Sequence, residues 1–280
     1  MSGDEYSIRP FQTIEEYEAC TDLQEETWGR GFSERVPSAI LKVSQILGGV
    51  AAGAYAADGR LMGFVFGMTG LRNGETVHWS DLLAVRPEAR RRGLGMRLKA
   101  YQRDQVLPLG IEKMYWTFDP LRSLNAYLNF CKLGIVAREY IEDMYGATDS
   151  PLHRGIGTDR LVALWLLRSD RVKVRLGGAG SLQEDVGVGD DAGVALASVG
   201  DEELARPDVP DLSHTGESVL VAIPADVGAI MRADPELARA WRAATRSTFV
   251  HYLARGYEVR DFLRGSHVSR YVLALRDDAL

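Results

Sequence analysis

The sequence predicts an α/β chain carrying a further α/β part at its C-terminal end. Three observations predict it. Strand-like and helix-like segments alternate through residues 5–168. A stretch rich in Gly, Asp, Ser and Pro, residues 177–218, then interrupts the pattern and reads as a loop or flexible linker. Alternation resumes over 219–280, which forms the C-terminal α/β part.

Each element has its own signal. YSIRPF, residues 6–11, reads as a strand, and Thr13 with Glu16 three residues on is a capping box that opens the helix IEEYEACTDLQEETW. Pro37 starts a second helix, SAILKVSQIL, ended by Gly48 and Gly49. VAAGAYAA and RLMGFVFGMTG flank Asp58-Gly59, a hairpin signal. ETVHWSDLLAV (75–85) is the next strand, and an amphipathic helix, GMRLKAYQRDQVLPLG, follows an Arg/Gly turn. KMYWTF, SLNAYLNFCKLG, VAREYIEDM and LVALWLL read as strand, helix, strand and strand. VLVAIP, a long helix from Pro235, YEVRDFL and RYVLAL close the chain. One internal echo stands out: YLNFCKLGIVAREYIEDMYG before LVALWLL, and FVHYLARGYEVRDFLRG before YVLAL, both read helix, Gly, strand, turn, strand. Identities are few, so chance or shared secondary structure accounts for the echo better than a reduced second copy of the catalytic half does.

Composition narrows the function. Net charge is −6, which argues against nucleic acid as the partner. Two cysteines without metal-ligand spacing, no signal peptide and no apolar run of membrane length point to a cytoplasmic protein without a metal site or membrane partner. The one dense basic run is Arg90, Arg91 and Arg92, flanked by Arg86 and Arg97.

That run belongs to Arg90-x-x-Gly93-x-Gly95, directly after a strand and at the start of a helix. A helix's first turn leaves backbone N–H groups unpaired, and its dipole favours an anion there. Glycine admits close approach of a ligand, and arginine adds charge-assisted bonds to phosphate oxygens. The pattern is neither a P-loop nor a dinucleotide fingerprint. It reads as an anion cradle.

VRPEARRRGLGM, residues 85–96, resembles the coenzyme A motif of the GNAT superfamily of N-acetyltransferases, written R/Q-x-x-G-x-G/A. The order of elements over residues 5–168 is similar to that fold, and the helix ending Lys132-Leu133-Gly134 is similar to the family's second motif. The resemblance implies a mixed, mostly antiparallel central sheet flanked by helices, with acetyl-CoA or another acyl-CoA as co-substrate. Leu83, Ala84 and Val85 would meet the pantetheine and thioester. Arg90, Arg91, Arg92, Gly93, Leu94, Gly95 and Met96 would hold the pyrophosphate. WTFDPLRSLNAYLNFCKLG resembles a branch of predicted acyltransferases, some of which act on amino acids, including with succinyl groups.

Acylating an amine requires its neutral form, at roughly 4.6 kcal/mol for a lysine-like amine at pH 7 and about 1.4 for an α-amine. Candidate bases lie on ETVHWSDLLAV. Alternation puts His78, Ser80 and Leu82 on one face, and Trp79, Asp81 and Leu83 on the other. His78 is either the base or a hydrogen-bonded strand residue; Asp81 would serve with a raised pKa. Asp119 could bind an ammonium or cap the turn after it. Where the family often carries a tyrosine that protonates the leaving thiolate, this chain has Phe130; a thiol of pKa about 8.5 leaves without full protonation, and Tyr127 or Tyr145 could substitute, with core packing the alternative for Tyr127. Asn125 and Asn129 share a helix face and could touch the cofactor arm or only cap neighbouring turns. Arg242 and Arg246 share another, suited to a substrate carboxylate or to salt bridges.

The expected function is acyl-CoA-dependent N-acylation of a small-molecule amine, with an amino acid favoured. The alternatives are a coenzyme A-sensing or partner-binding module and a protein lysine acetyltransferase. A homodimer is compatible with the sequence.

Overall fold

In the computed structural model, residues 6–90, 92–146, 155–177, 192–200 and 204–276 are described. They pack as two units, residues 1–116 with 166–168, and residues 117–165 with 169–280.

The first unit begins with β1 (Ser7–Pro10), α1 (Ile14–Trp28) and α2 (Ser38–Ile46). The capping box forms as read: Thr13 accepts from Glu16 N, and the Glu16 carboxylate accepts from Thr13 N. Next come β2 (Val50–Tyr55), β3 (Leu61–Arg72) and β4 (Glu75–Val85), an antiparallel meander with β1 on its outer edge. The hairpin turn uses Gly59 at φ 84°, with Arg60 N donating to Asp58 Oδ1. α3 (Leu94–Val106) follows, then β5 (Lys113–Phe118), parallel to β4. One core lies beneath α1 and α2, where Phe11, Tyr17, Cys20, Leu23 and Leu41 meet Phe64, Phe66 and Ala84.

The second unit contains α4 (Ser123–Ala126), continued by a π-helical segment, Tyr127–Leu133. β6 (Val136–Ile141), β7 (Arg160–Leu166) and α5 (Asp170–Leu176) follow. Three short strands come next: β8 (Gly193–Leu196), β9 (Ser198–Val199) and β10 (Arg206–Pro207). Described residues of the stretch read as a linker thus form strands, with Ala195, Leu196 and Ala205 buried. β11 (Ser218–Pro224), α6 (Val227–Ala233), α7 (Pro235–Ala254), β12 (Tyr257–Leu263) and β13 (Val268–Leu275) complete it.

The two segments of the sequence echo have the same order of elements in the structure. The π-helical segment ends at Gly134, φ 72°, and α7 is followed by Gly256, φ 88°. Each glycine leads into the first strand of an antiparallel hairpin, β6–β7 or β12–β13. Each hairpin carries an irregularity four residues after its glycine, at Arg138 and Arg260. β6 pairs with β12 through Ala137 and Val259, each three residues after its glycine, so the two segments meet about a local pseudo-twofold axis. β6 and β12 both lie in the second unit, so this pairing is internal to it.

Candidate active site

In the first unit, β4 and β5 pair only through His78–Met114 and Trp79–Tyr115. Beyond Trp79 the strands part, which leaves the Ser80–Val85 backbone on that side without a strand partner. β4 also carries a bulge. Phe66 faces Leu82 and Gly67 faces Ser80, so Asp81 is the extra residue. The bulge breaks the simple alternation. Leu82 packs into the core beneath α1 and α2, whereas Ser80 bonds Lys99 of α3; the expectation that Ser80 and Leu82 share a face is therefore corrected. Asp81 is solvent-accessible. Surrounding protein nonetheless pushes its pKa upward, against a hydrogen bond from Trp79 that lowers it.

After Val85 a short 3-10 turn, Pro87–Ala89, and extended Arg90 lead to Gly93. Gly93 caps α3 in the left-handed conformation, φ 74°, with no side-chain cap on the helix. The first backbone bond of α3 runs from Arg97 N to Gly93 O. The N–H groups of Leu94, Gly95 and Met96 therefore stand ahead of the helical ladder. A Cβ at Gly95 would make only ordinary contact with Leu83, 3.7 Å away. Packing does not demand glycine there, and the space suits a ligand. Leu94 is a core residue. Leu83 and Val85 are half-buried, Ala84 is buried and Met96 is half-buried. Arg90 and Arg92 are exposed, Arg90 folding back so that Nε donates to Val85 O. Arg91 lies outside the described residues. The flanking arginines are engaged in the fold: Arg86 with Glu26 and Leu61 O, Arg97 with Tyr6 O.

His78 takes the structural alternative. It is wholly buried. Thr69 donates its hydroxyl to Gly48 O (2.8 Å), so its oxygen accepts from His78 Nδ1 (3.2 Å). Nε2 then accepts from the Gln102 amide at 3.0 Å. Burial, helped by the nearby Lys99 charge, holds the imidazole pKa down to about 3. A neutral, doubly bonded imidazole enclosed by protein is not placed to take a proton from an amine. Its linkage to stability has a definite sign. The unfolded chain protonates near pH 6.5 and the folded one near 3, so stability is full above about 6.5 and falls by roughly 1.4 kcal/mol per pH unit below it. Acid titration of the melting temperature should show this slope, and His78→Gln should flatten it.

Sequence reading missed Lys99. Its ammonium donates to Ser80 Oγ at 2.7 Å and sits 3.6 Å from the Trp116 ring centroid. Complete burial drives its pKa well down. The only available signal was its position beside Leu98 and Gln102 on α3, since a lysine letter ordinarily marks a solvated face.

In the second unit, Asp119 is buried and committed. Its Oδ1 accepts from Leu121 N (2.9 Å) and from Arg242 Nη2 (2.8 Å). The capping alternative is therefore what the fold uses, and an ammonium there would compete with Arg242. Arg246 clasps Asp159 with Nε (2.8 Å) and Nη2 (2.5 Å), and also reaches Asp143 (3.2 Å) and Glu142 (3.2 Å). Burial raises the Asp159 pKa, but the Arg246 and Tyr140 hydrogen bonds outweigh it and the carboxyl titrates below its usual range. Arg246 thus takes the salt-bridge alternative and ties α7 to the β6–β7 connection, while Arg242 pairs with Asp119. Phe130 is fully buried against Phe118 and Tyr271. Tyr127 is half-buried with Lys132 and Arg264 near its ring. The Tyr145 hydroxyl lies 3.1 Å from Thr117 Oγ. Asn125 is exposed, and Asn129 is buried, with its carbonyl accepting from Ile135 N.

Among the described residues no group of His, Cys, Asp and Glu could hold a metal ion, and no helix is long and apolar enough to cross a membrane.

No family model and no curated protein matches the chain. Solved structures with a similar arrangement are acetyltransferases. The ribosomal-protein-S18-alanine N-acetyltransferase from Escherichia coli is 15% identical, over 58% of this chain and 94% of that one, at a TM-score of 0.44. A putative acetyltransferase from Salmonella typhimurium, with its cofactor acetyl-CoA, is 17% identical over 59% and 95%, at 0.46. A GNAT superfamily phosphinothricin acetyltransferase from Sinorhizobium meliloti, in complex with acetyl-CoA, is 16% identical over 57% and 88%, at 0.45.

Proposed function

We propose that this chain is an acyl-CoA-dependent N-acyltransferase that acts on a small-molecule amine, with an amino acid as the favoured acceptor. The observation that carries the reading is the passage from β4 to α3. A strand that parts from its parallel neighbour at Trp79 runs into a helix whose first N–H groups follow a left-handed glycine and have no side-chain cap. Leu94, Gly95 and Met96 N–H would take pyrophosphate oxygens, with Arg90, Arg91 and Arg92 supplying positive charge. The open edge of β4 at Leu83, Ala84 and Val85 would bond the pantetheine and orient the thioester.

In the transfer, the neutral amine attacks the thioester carbon, the C–S bond breaks, and the amine's surplus proton leaves. Asp81, solvent-accessible with a raised pKa, is the base this site offers, and His78 is not. A thiol with pKa about 8.5 departs without a dedicated acid. The buried Phe130 favours a second reading, a coenzyme A-binding module without turnover.

The deciding experiment crosses acetyl-, propionyl- and succinyl-CoA with amino acids, polyamines and a lysine peptide, and follows free thiol. Release with a free amino acid supports the proposal. Coenzyme A binding without release on any amine supports the module, and release only with the peptide selects protein acetylation. For the cradle itself, Gly95→Glu should weaken coenzyme A binding about tenfold or more, because its side chain occupies the anion's place. The melting temperature should hold, since a Cβ there meets only Leu83. Unchanged affinity in a calorimetric titration would refute the assignment.

A further inference from the structure

Within the second unit a cavity of about 520 Å³ lies between the β6–β7 connection and α7. Arg239 and Arg242 line it from the helix, with Ala243 and Ser247 between the charges, and Glu142 and Asp143 line it from the connection. Arg242 is nearly fully buried and lines this space, yet among the described residues its Nη1 has no hydrogen-bond partner, although Nε and Nη2 are bonded to Ile156 O and Asp119. A buried guanidinium N–H without an acceptor is costly, and a ligand oxygen would relieve it. Asp143 holds a left-handed backbone, φ 42°, bridged by its side chain to Thr158 N and to Arg246. The wall is therefore fixed before any ligand arrives.

Charge selects the ligand class. Arg239, Arg242 and Arg246, with Arg160 and Arg122 facing Asp119, stand against Asp119, Glu142, Asp143, Asp159 and Glu236. Among the described residues three arginines and two acids line the cavity, and with the partners behind them five cations meet five anions, which leaves no positive excess there to hold a phosphate. A carboxylate is accommodated only if its own molecule also brings a cation for Glu142 and Asp143. We infer that this cavity binds an α-amino acid as a zwitterion, its carboxylate toward Arg242 and Arg239 and its ammonium toward Glu142 and Asp143. The assignment of this ligand as the acyl acceptor rests on the transferase reading above; binding itself does not.

The test is a thermal-shift and NMR titration of the full chain with the free amino acids, each beside its decarboxylated amine and its N-acetyl form. At least one amino acid should bind and both altered forms should fail. Ala243→Trp, on an exposed position of α7, should fill the cavity and abolish binding, and Arg239→Gln should weaken it about tenfold. Ser247→Leu serves as a second filler should Ala243→Trp not fold. The inference is overturned if no amino acid binds, if the amine or N-acetyl form binds equally well, or if binding survives a folded filled variant. If an amino acid binds but no acyl-CoA is ever turned over, the cavity stands and the transferase reading falls.

Discussion

Asp119→Ala is expected to destabilise the protein by about 3–5 kcal/mol, because it strands the Arg242 guanidinium in the interior of the second unit. Both partners are buried, Arg242 with 4% and Asp119 with 3% of its side-chain surface exposed. Arg242 already has one nitrogen without a partner among the described residues, so losing the 2.8 Å bond to Asp119 leaves the positive end with little but the Ile156 carbonyl. The substitution also removes the acceptor of the Leu121 N–H. At about 2–4 °C per kcal/mol, the melting temperature should fall by roughly 6–20 °C. The double variant Asp119→Ala, Arg242→Met removes the stranded charge and should recover part of the loss. A thermal melt of the three variants measures the coupling. A loss under about 1 kcal/mol for Asp119→Ala would show that Arg242 finds another acceptor.

Gly67→Ala is expected to cost about 3 kcal/mol in the first unit. A Cβ at Gly67 would sit 2.3 Å from His78 Nε2, 2.6 Å from Gln102 Nε2 and 2.6 Å from Trp79 O. Two of these atoms form one hydrogen bond, and the third is strand backbone beside the β4 bulge, so none can yield cheaply. The substitution should push Gln102 off His78 and raise the imidazole pKa as water enters. Chemical denaturation reads the stability loss, and NMR titration of His78 reads the second effect. Gly70 makes the control: a Cβ there meets nothing within 4 Å, and Gly70→Ala should be near neutral.

Much of this was legible in the chain. The capping box at Thr13 and Glu16, the hairpin at Asp58-Gly59, the limits of β4 and the Arg/Gly turn are local signals, and locality is what a sequence displays. The bulge at Asp81 was not legible, because it depends on how Phe66 and Gly67 lie opposite, and it moved Ser80 and Leu82 to different faces. Lys99 and Gln102 carry polar letters yet face the interior, since each meets a partner on β4, Ser80 and His78. The pairing of Asp119 with Arg242 spans 123 positions, and no short pattern announces it. β8 hid inside a Gly/Asp-rich run because only its parallel pairing with β11 makes a strand of it. The echo of helix, glycine and hairpin was visible, but the pairing of β6 with β12 was not.

That pairing changes what the edge of β6 is exposed to. A β-strand with nothing beside it offers a row of unsatisfied N–H and C=O groups, a template on which any other extended chain can grow. At β6 the chain supplies the neighbour itself, through β12, and ion pairs across the join at Arg138 and Glu258 (2.7 Å) hold it in place. Because the second hairpin belongs to the same polypeptide, the cover over this edge of β6 is independent of concentration, which no partner recruited from solution could match.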